Sequence, residues 1–566
     1  MDLNLPADLL LFVCEELGRL GDFNTLFHCA LASKHLVGPA LLWLYRIHNQ
    51  FSIISSEGND ADWTLSQELT YQGRLDQQNR MVSKWALQWK SIIRSSLGTT
   101  AYPYCLYIRS LDLRNLQELM EDPRFRESSI YTFFTDELAQ FRRPLDTPPK
   151  RTKRRGMLQL NIPEILNLVV ESITSFVSSA AKRHGAAVAL EELSGNIDST
   201  ALSRLTSRLS RLRSMTLWDG SGLNESIGAA IAEYCPNFDD LTFYSCVGDN
   251  SDKSLATFFN SLRPNSIQSF TIIGFNEIGP ETLTSLNTQS KSLKTLKLSN
   301  LKNQAIKHLS LLEGCDALET LSLSDNDGVV DLEATENDIF LAVIAWLERC
   351  DKLQNFTLTN FRNGPAIGTK ICLCDNIHLK SLEVVRYPFT NNQNFHKAIS
   401  HQTALESLEL RADVVDAFAD DISTLVTAIC KLTKLRYLDI LQTSEFFSTG
   451  EIRHLAFHLR QLEEFSFGGY GVDDKIFDSL SLLLQLRALN VYAISSFTFE
   501  GILDYVSNLQ QSNRGLILSV MNQTLEHDLS QSEIKIIQDT ITQKVNGKFE
   551  FVLLREGSSS FGSDSD

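Results

Sequence analysis

The chain has 566 residues, with 52 Lys and Arg against 69 Asp and Glu and a formal net charge of −17. That sign opposes long-range attraction to phosphate, so nucleic acid is not an expected partner. With 43 % hydrophobic and 21 % charged residues the composition is that of a globular protein. No stretch nears the ~18 apolar residues of a membrane span, so no membrane partner is expected either. The Met1–Pro6 start lacks the basic flank of a signal peptide, and ten cysteines without a disulfide rhythm read as reduced thiols. The expected location is cytoplasm and/or nucleus.

Residues 1–50 carry three short helical segments. Pro6 suits the first turn of the first, whose apolar positions are Leu9, Leu10, Val13 and Leu17. Asp22 is placed to cap a second helix with Leu26, Cys29 and Ala30, and Pro39 to open a third with Leu41, Leu42, Trp43 and Tyr45. About 40 residues make a poor independent core, so the remaining apolar surface should meet a partner or the following domain.

The Leu5-Pro6 opening, the Asp8-Leu9-Leu10 step, the Asp22 turn, Leu26-x-x-Cys29 and the Leu42-Trp43 ending resemble an F-box. Leu36 stands where that family has Trp. In the family this segment docks on the Skp adaptor of an SCF ubiquitin ligase. The resemblance implies adaptor contacts through Leu5, Pro6, Leu9, Leu10, Val13, Leu26 and Cys29. Leu17, Leu31 and Trp43 are expected inside the small core.

Residues 51–105 read as a helical linker packing on the array. Its Lys84–Lys90 and Tyr102–Cys105 segments look like fungal F-box proteins with repeat arrays. Ile108-Leu111-Leu113 is a first repeat strand within 106–117. Residues 118–160, with Pro123, Pro144, Pro148 and Pro149, read as an irregular insertion. It ends in a basic run, Lys150, Arg151, Lys153, Arg154 and Arg155, equally readable as a nuclear signal or a solvated loop.

From 161 to 515 the pattern L-x-x-L-x-L recurs, from Leu212-Met215-Leu217 to Leu486-Leu489-Val491, in eleven copies 24 to 35 residues apart. Each copy reads as a strand with a longer helical return. No unit can bury its apolar strand face alone, so neighbours must stack. This resembles a leucine-rich-repeat array, and Cys235, Cys315 and Cys350 match its cysteine-containing subclass. The family's Asn/Cys position after the strand survives only at Cys246 and Asn326, so its hydrogen-bond ladder should be weaker or replaced. In 516–556, a Ser530–Glu533 capping box, a helical face of Ile534, Ile537, Ile541 and Val545, and alternating Phe549, Phe551 and Leu553 read as a C-terminal cap. Residues 557–566 read as a disordered tail.

No catalytic constellation stands out. His454 and His458 have metal-ligand spacing but no third ligand nearby in sequence, so no metal or cofactor is expected. Gly468-Gly469-Tyr470-Gly471 lacks the Lys-Ser/Thr of a phosphate loop and reads as a turn. Outward strand positions offer recognition chemistry instead: Trp218, Tyr244, Glu383, Glu409, Arg411, Tyr437, Asp439 and Tyr492. Glu383, Glu409 and Asp439 hold one position in successive copies and should form an acidic row.

The chain thus reads as α/β, a leucine-rich-repeat solenoid with parallel strands on the concave face and helices on the convex face, behind a small N-terminal all-α F-box. The resemblance implies a non-catalytic substrate-recognition subunit of an SCF-type ubiquitin ligase complex, serving ubiquitin-dependent degradation. Its partners would be the Skp adaptor, the cullin-based core and a client protein. A non-degradative scaffold is the alternative.

Overall fold

The computed structural model describes residues 6–46, 48, 71–145, 159–184, 188–413, 418–522 and 529–553. Leu5, the basic run at 150–155 and the tail at 557–566 lie outside the described residues. The chain divides into two compact units, Met1–Phe270 and Thr271–Asp566.

The first unit begins with α1 (Ala7–Arg19), α2 (Phe23–Ala32) and α3 (Lys34–Arg46). Asp22 caps α2: its carboxylate accepts from the Thr25 amide at 2.9 Å and the Thr25 hydroxyl at 2.6 Å. Cys14, Leu26 and Ala40 are fully buried, with Leu17, Phe23, Leu36, Trp43 and Leu44 packed around them. Pro39 does not open α3 but lies inside it. Leu36, Ala40, Trp43 and Leu44 form one stripe across the proline, and burying that stripe outweighs the lost hydrogen bond. Gly18 permits the approach of α3, since a Cβ there would meet the Trp43 ring at 2.7 Å.

Helix α4 (Tyr71–Ser96) comes next, then β1 (Ser110–Asp112) and α5 (Leu113–Glu121). The Tyr45 hydroxyl is 2.7 Å from the Ser91 hydroxyl, and its ring stacks on Tyr104 at 4.5 Å, which ties α3 to this layer. The indole N–H groups of Trp85 and Trp89 both donate to the Asn115 side-chain oxygen, at 2.6 and 2.7 Å. One buried amide thus joins α4 to α5. Residues 118–145 are not irregular as expected. They fold into short helical turns because Phe125, Phe133, Leu138 and Phe141 are all buried, and Phe125 and Phe133 pack edge to face. After α6 (Ile162–His184) come β2 (Glu192–Gly195), β3 (Ser214–Asp219) and β4 (Asp240–Ser245), each parallel to its predecessor.

Strand β5 (Ser269–Ile272) spans the division between the units. The second unit continues with β6 (Thr295–Leu301), β7 (Thr320–Asp325), β8 (Asn355–Thr359), β9 (Ser381–Pro388) and β10 (Ser407–Asp413). It ends with β11 (Tyr437–Ile440), β12 (Glu464–Val472), β13 (Ala488–Ser495), β14 (Ile517–Asn522) and β15 (Lys548–Leu553). From β6 onward every strand pairs in parallel with the next. The fold is an α/β leucine-rich-repeat solenoid. Its pattern leucines, such as Leu382, Leu408, Leu438 and Leu489, are 0 % exposed, each contributing roughly 1.5–3 kcal/mol by burial.

The weakened asparagine ladder is replaced by other inter-repeat bonds. The Cys235 thiol lies 3.4 Å from the Thr206 and Leu209 carbonyls, and the Cys350 thiol lies 3.6 Å from the Cys315 carbonyl. Thr443 donates to the Leu410 carbonyl at 2.7 Å, and Asn513 donates to the Leu483 and Leu486 carbonyls. All ten cysteines are free thiols, eight of them buried. The C-terminal helix Gln531–Val545 starts on the Ser530–Glu533 capping box and buries Ile537, Ile541 and Val545. No described helix is long and apolar enough to cross a membrane.

Candidate functional site

Two surfaces carry unusual chemistry, one in each unit. In the first unit the inward stripe of α1 runs through Cys14 and Leu17, with Gly18 beneath Trp43. The opposite positions Leu9, Phe12 and Val13 are therefore left outside, with Phe12 64 % exposed. Leu20, at the end of α1, and Phe27 and Leu31, on α2, are also exposed. Of the expected adaptor residues, Pro6, Leu9 and Val13 are exposed and Leu10 is half-buried. Leu26 is fully buried and belongs to the module's core, while Cys29 packs against it half-buried. That side of α2 faces Cys14 and Ala40, which is what removes Leu26 from the surface. Leu31, expected inside, is 69 % exposed. Sequence reasoning missed Phe12, Leu20 and Phe27, although the 3.6-residue period placed Phe12 beside Leu9 and Val13.

Trp218 and Tyr244 also belong to the first unit. Parallel pairing of β3 with β4 sets them side by side, with rings stacked at 5.0 Å and 28°. Arg114 donates to the Tyr244 hydroxyl at 3.1 Å and is held by Asp112 at 2.7 Å.

In the second unit the strand register aligns Glu383 with Glu409 and Glu409 with Asp439. The acidic row exists, but it is not unpaired. Arg411 bridges Glu409 and Asp439, at 2.9 Å to each. Asp439, an expected client residue, is buried and also accepts from the Leu441 amide, so it braces the strand end and presents little surface. Burial raises the Glu409 carboxyl's pKa, with Arg411 pulling it back. Burial, with Asp439 and Glu409 nearby, pushes the Tyr437 phenol up to about 12. Glu383 accepts from the Thr357 hydroxyl at 3.2 Å.

Beside the row lies a groove of about 630 Å³, lined by Arg411, Leu441, Phe446, Tyr470, Tyr492 and Ile494 among others. It forms because β12 and β13 run on where β11 stops at Ile440. The Gly468–Gly471 stretch is accordingly strand and not a turn. Gly468 donates to the Ser444 hydroxyl at 2.6 Å, and a Cβ there would meet the Leu441 carbonyl at 2.7 Å. The strand bends only at Gly471, with φ +65°, where its register with β13 shifts. Tyr470 and Ile494 were missed, though both continue the outward parity of Ser466 and Tyr492.

Among the described residues one group of possible metal ligands converges: Cys430, His454 and His458. The sequence left the histidine pair without a third donor, and the stacking of repeats supplies it.

No protein-family model matches the chain, and no curated protein matches it. Solved structures do. It is similar to an internalin from Listeria monocytogenes at 14 % identity and TM-score 0.35, over 60 % of this chain and 87 % of that one. A yeast Rad7–Elc1 complex chain aligns at 15 % identity and TM-score 0.34, over 71 % of this chain and 94 % of that one. A TLR13–ssRNA13 complex chain aligns at 15 % and 0.32, over 62 % and 56 %. The fold assignment rests on this chain's own strand register.

Proposed function

We propose that the chain is a protein-recognition subunit of an SCF-type ubiquitin ligase: α1 and α2 dock a Skp adaptor, and the outward strand face with its groove holds a client. The observation that carries this reading is the set of large apolar side chains left exposed on an F-box-like module. The described fold leaves them exposed, and such surface marks a docking site. Receptor work of this kind needs no catalytic group. The chain raises the local concentration of a client lysine near a charged conjugating enzyme.

The test is capture of a Skp adaptor by the full chain and by the combined variant Leu9→Ser, Phe12→Ser and Val13→Ser. Three half-exposed side chains losing about 1 kcal/mol each would weaken the complex about 100-fold. Circular dichroism should be unchanged, because none of the three belongs to the buried set. Wild-type capture by the variant overturns the reading. Cullin in the same capture separates a ligase subunit from a non-degradative scaffold.

A further inference from the structure

Cys430 follows the helix Ala419–Ile429, while His454 and His458 lie one turn apart on the next repeat's helix, Thr449–His458. The sulfur and one ring nitrogen from each histidine all lie within 4.8 Å of one another. We propose that these three side chains bind a single zinc-class divalent cation, which braces one repeat to the next.

The donor set selects the metal. One sulfur and two imidazoles, with no carboxylate, suit a borderline-soft ion and not Mg²⁺ or Ca²⁺. The ring nitrogen Nδ1 of His458 lies 2.9 Å from the His454 carbonyl. An N–H donated there orients the ring and leaves Nε2 with its lone pair for a metal, as outer bonds do in metal sites. The Phe457 ring packs edge-on against His458 at 5.3 Å, and the Arg460 guanidinium lies over Phe457 at 4.9 Å, so one flank of the histidine is covered.

Access and geometry agree with this. Cys430 is buried, His458 half-buried and His454 exposed, so an ion enters from the solvent side and keeps a fourth position for water. Tetrahedral bonds of about 2.0–2.3 Å require donor separations below about 4 Å, and rotation of the exposed His454 ring supplies the contraction. The Cys430 thiol lies 3.8 Å from the His454 carbonyl. On coordination that contact is released and the thiol proton passes to solvent. Repeat solenoids depend on contacts between nearest neighbours, so a ligand bridging two helices stabilises the folded chain by mass action.

The full chain, stripped with chelator, is titrated with Co²⁺ and Zn²⁺, with Mg²⁺ and Ca²⁺ as hard-ion controls. The expected result is one equivalent of Co²⁺ with intense tetrahedral d–d absorption and a thiolate charge-transfer band. Zn²⁺ should displace it and raise the unfolding temperature, while Mg²⁺ and Ca²⁺ do neither. Cys430→Ser should abolish the charge-transfer band, and His454→Asn should weaken binding at least tenfold. His454 is exposed, so its variant keeps the test valid if Cys430→Ser misfolds. A pale octahedral spectrum, or a band retained by both variants, means adventitious binding only and overturns the proposal.

Discussion

The three-helix module and the repeats around β9–β11 are built from similar residues and treat them oppositely. Among the described apolar side chains of the module Cys14, Leu26 and Ala40 reach full burial, while Leu9, Phe12, Val13, Leu20, Phe27 and Leu31 face out. In β9–β11 the aligned Leu382, Leu408 and Leu438 are all at 0 % exposure. The cause is neighbours. A repeat strand lies between two others and under its own helix, whereas α1 and α2 pack only within a small module whose third helix alone is tied to the next layer. Apolar surplus in the array becomes core, and in the module it becomes an outward face. The array's leucines should therefore govern stability, and the module's should govern association.

The largest effect that separates the two is truncation. Leu408→Ala removes a fully enclosed side chain from β10 and should cost about 2–5 kcal/mol, read from the urea midpoint. Phe27→Ser, at a position 54 % exposed, should stay within about 0.5 kcal/mol. A wild-type midpoint for Leu408→Ala, or a collapse for Phe27→Ser, would break the comparison.

Much of this contrast was legible in the sequence, and the failures share a cause. The leucine period located eleven array strands and β1, and the alternation of Phe549, Phe551 and Leu553 located β15, but neither found β2 or β14. In β2, Gly195 stands where the third apolar residue belongs, with φ +136° and a would-be Cβ 2.8 Å from that of Leu113. In β14, Gly515 takes the place of Leu486 in the register, with φ +84°. Both glycines answer backbone demands that a pattern of leucines does not encode. Leu26 turned inward because motif position names a residue's family role, while its direction depends on what the neighbouring helix presents. Cys430 joined the histidines only once repeats were stacked. The groove needed the unequal lengths of β11 and β12, which alternation alone does not announce.

A smaller effect tests burial of a polar group within the array. His396 is fully buried beside the Phe389 and Phe395 rings, with Nε2 3.2 Å from the Tyr387 hydroxyl and Nδ1 without a partner. Burial pulls its pKa from 6.5 to about 4, with Asp421 opposing slightly. Between those values the unfolded chain takes up the proton and the folded chain does not. Stability is therefore complete above pH 6.5 and falls as pH drops toward 4, by up to about 3 kcal/mol. His48, also buried and held near 4, adds a slope of the same sign. His396→Gln should remove part of the acid sensitivity in urea midpoints taken across that window. An unchanged slope would mean that the ring is charged in the folded state.

The smallest expected effect concerns association at the acidic row. Glu383 is half-buried, and Glu464, beside Tyr437 on the next strand, is exposed. Asp439 is unsuitable for a charge test, because reversing it would bury a cation against Arg411. Arg411 answers Glu409 and Asp439, which leaves Glu383 and Glu464 to set the potential at the two ends of the row. A Lys- or Arg-rich client segment would be steered there, with Leu441 and Tyr492 as apolar contacts. Glu383→Gln with Glu464→Gln preserves shape and removes two charges. Client association should slow about tenfold at low salt, and the difference should shrink as ionic strength shortens the screening length to about 10 Å. Stopped-flow association across a salt series, with a client recovered by affinity capture under proteasome inhibition, reads both. Equal rates at every salt concentration would mean that the row steers nothing and that recognition rests on the apolar groove or on Trp218 and Tyr244.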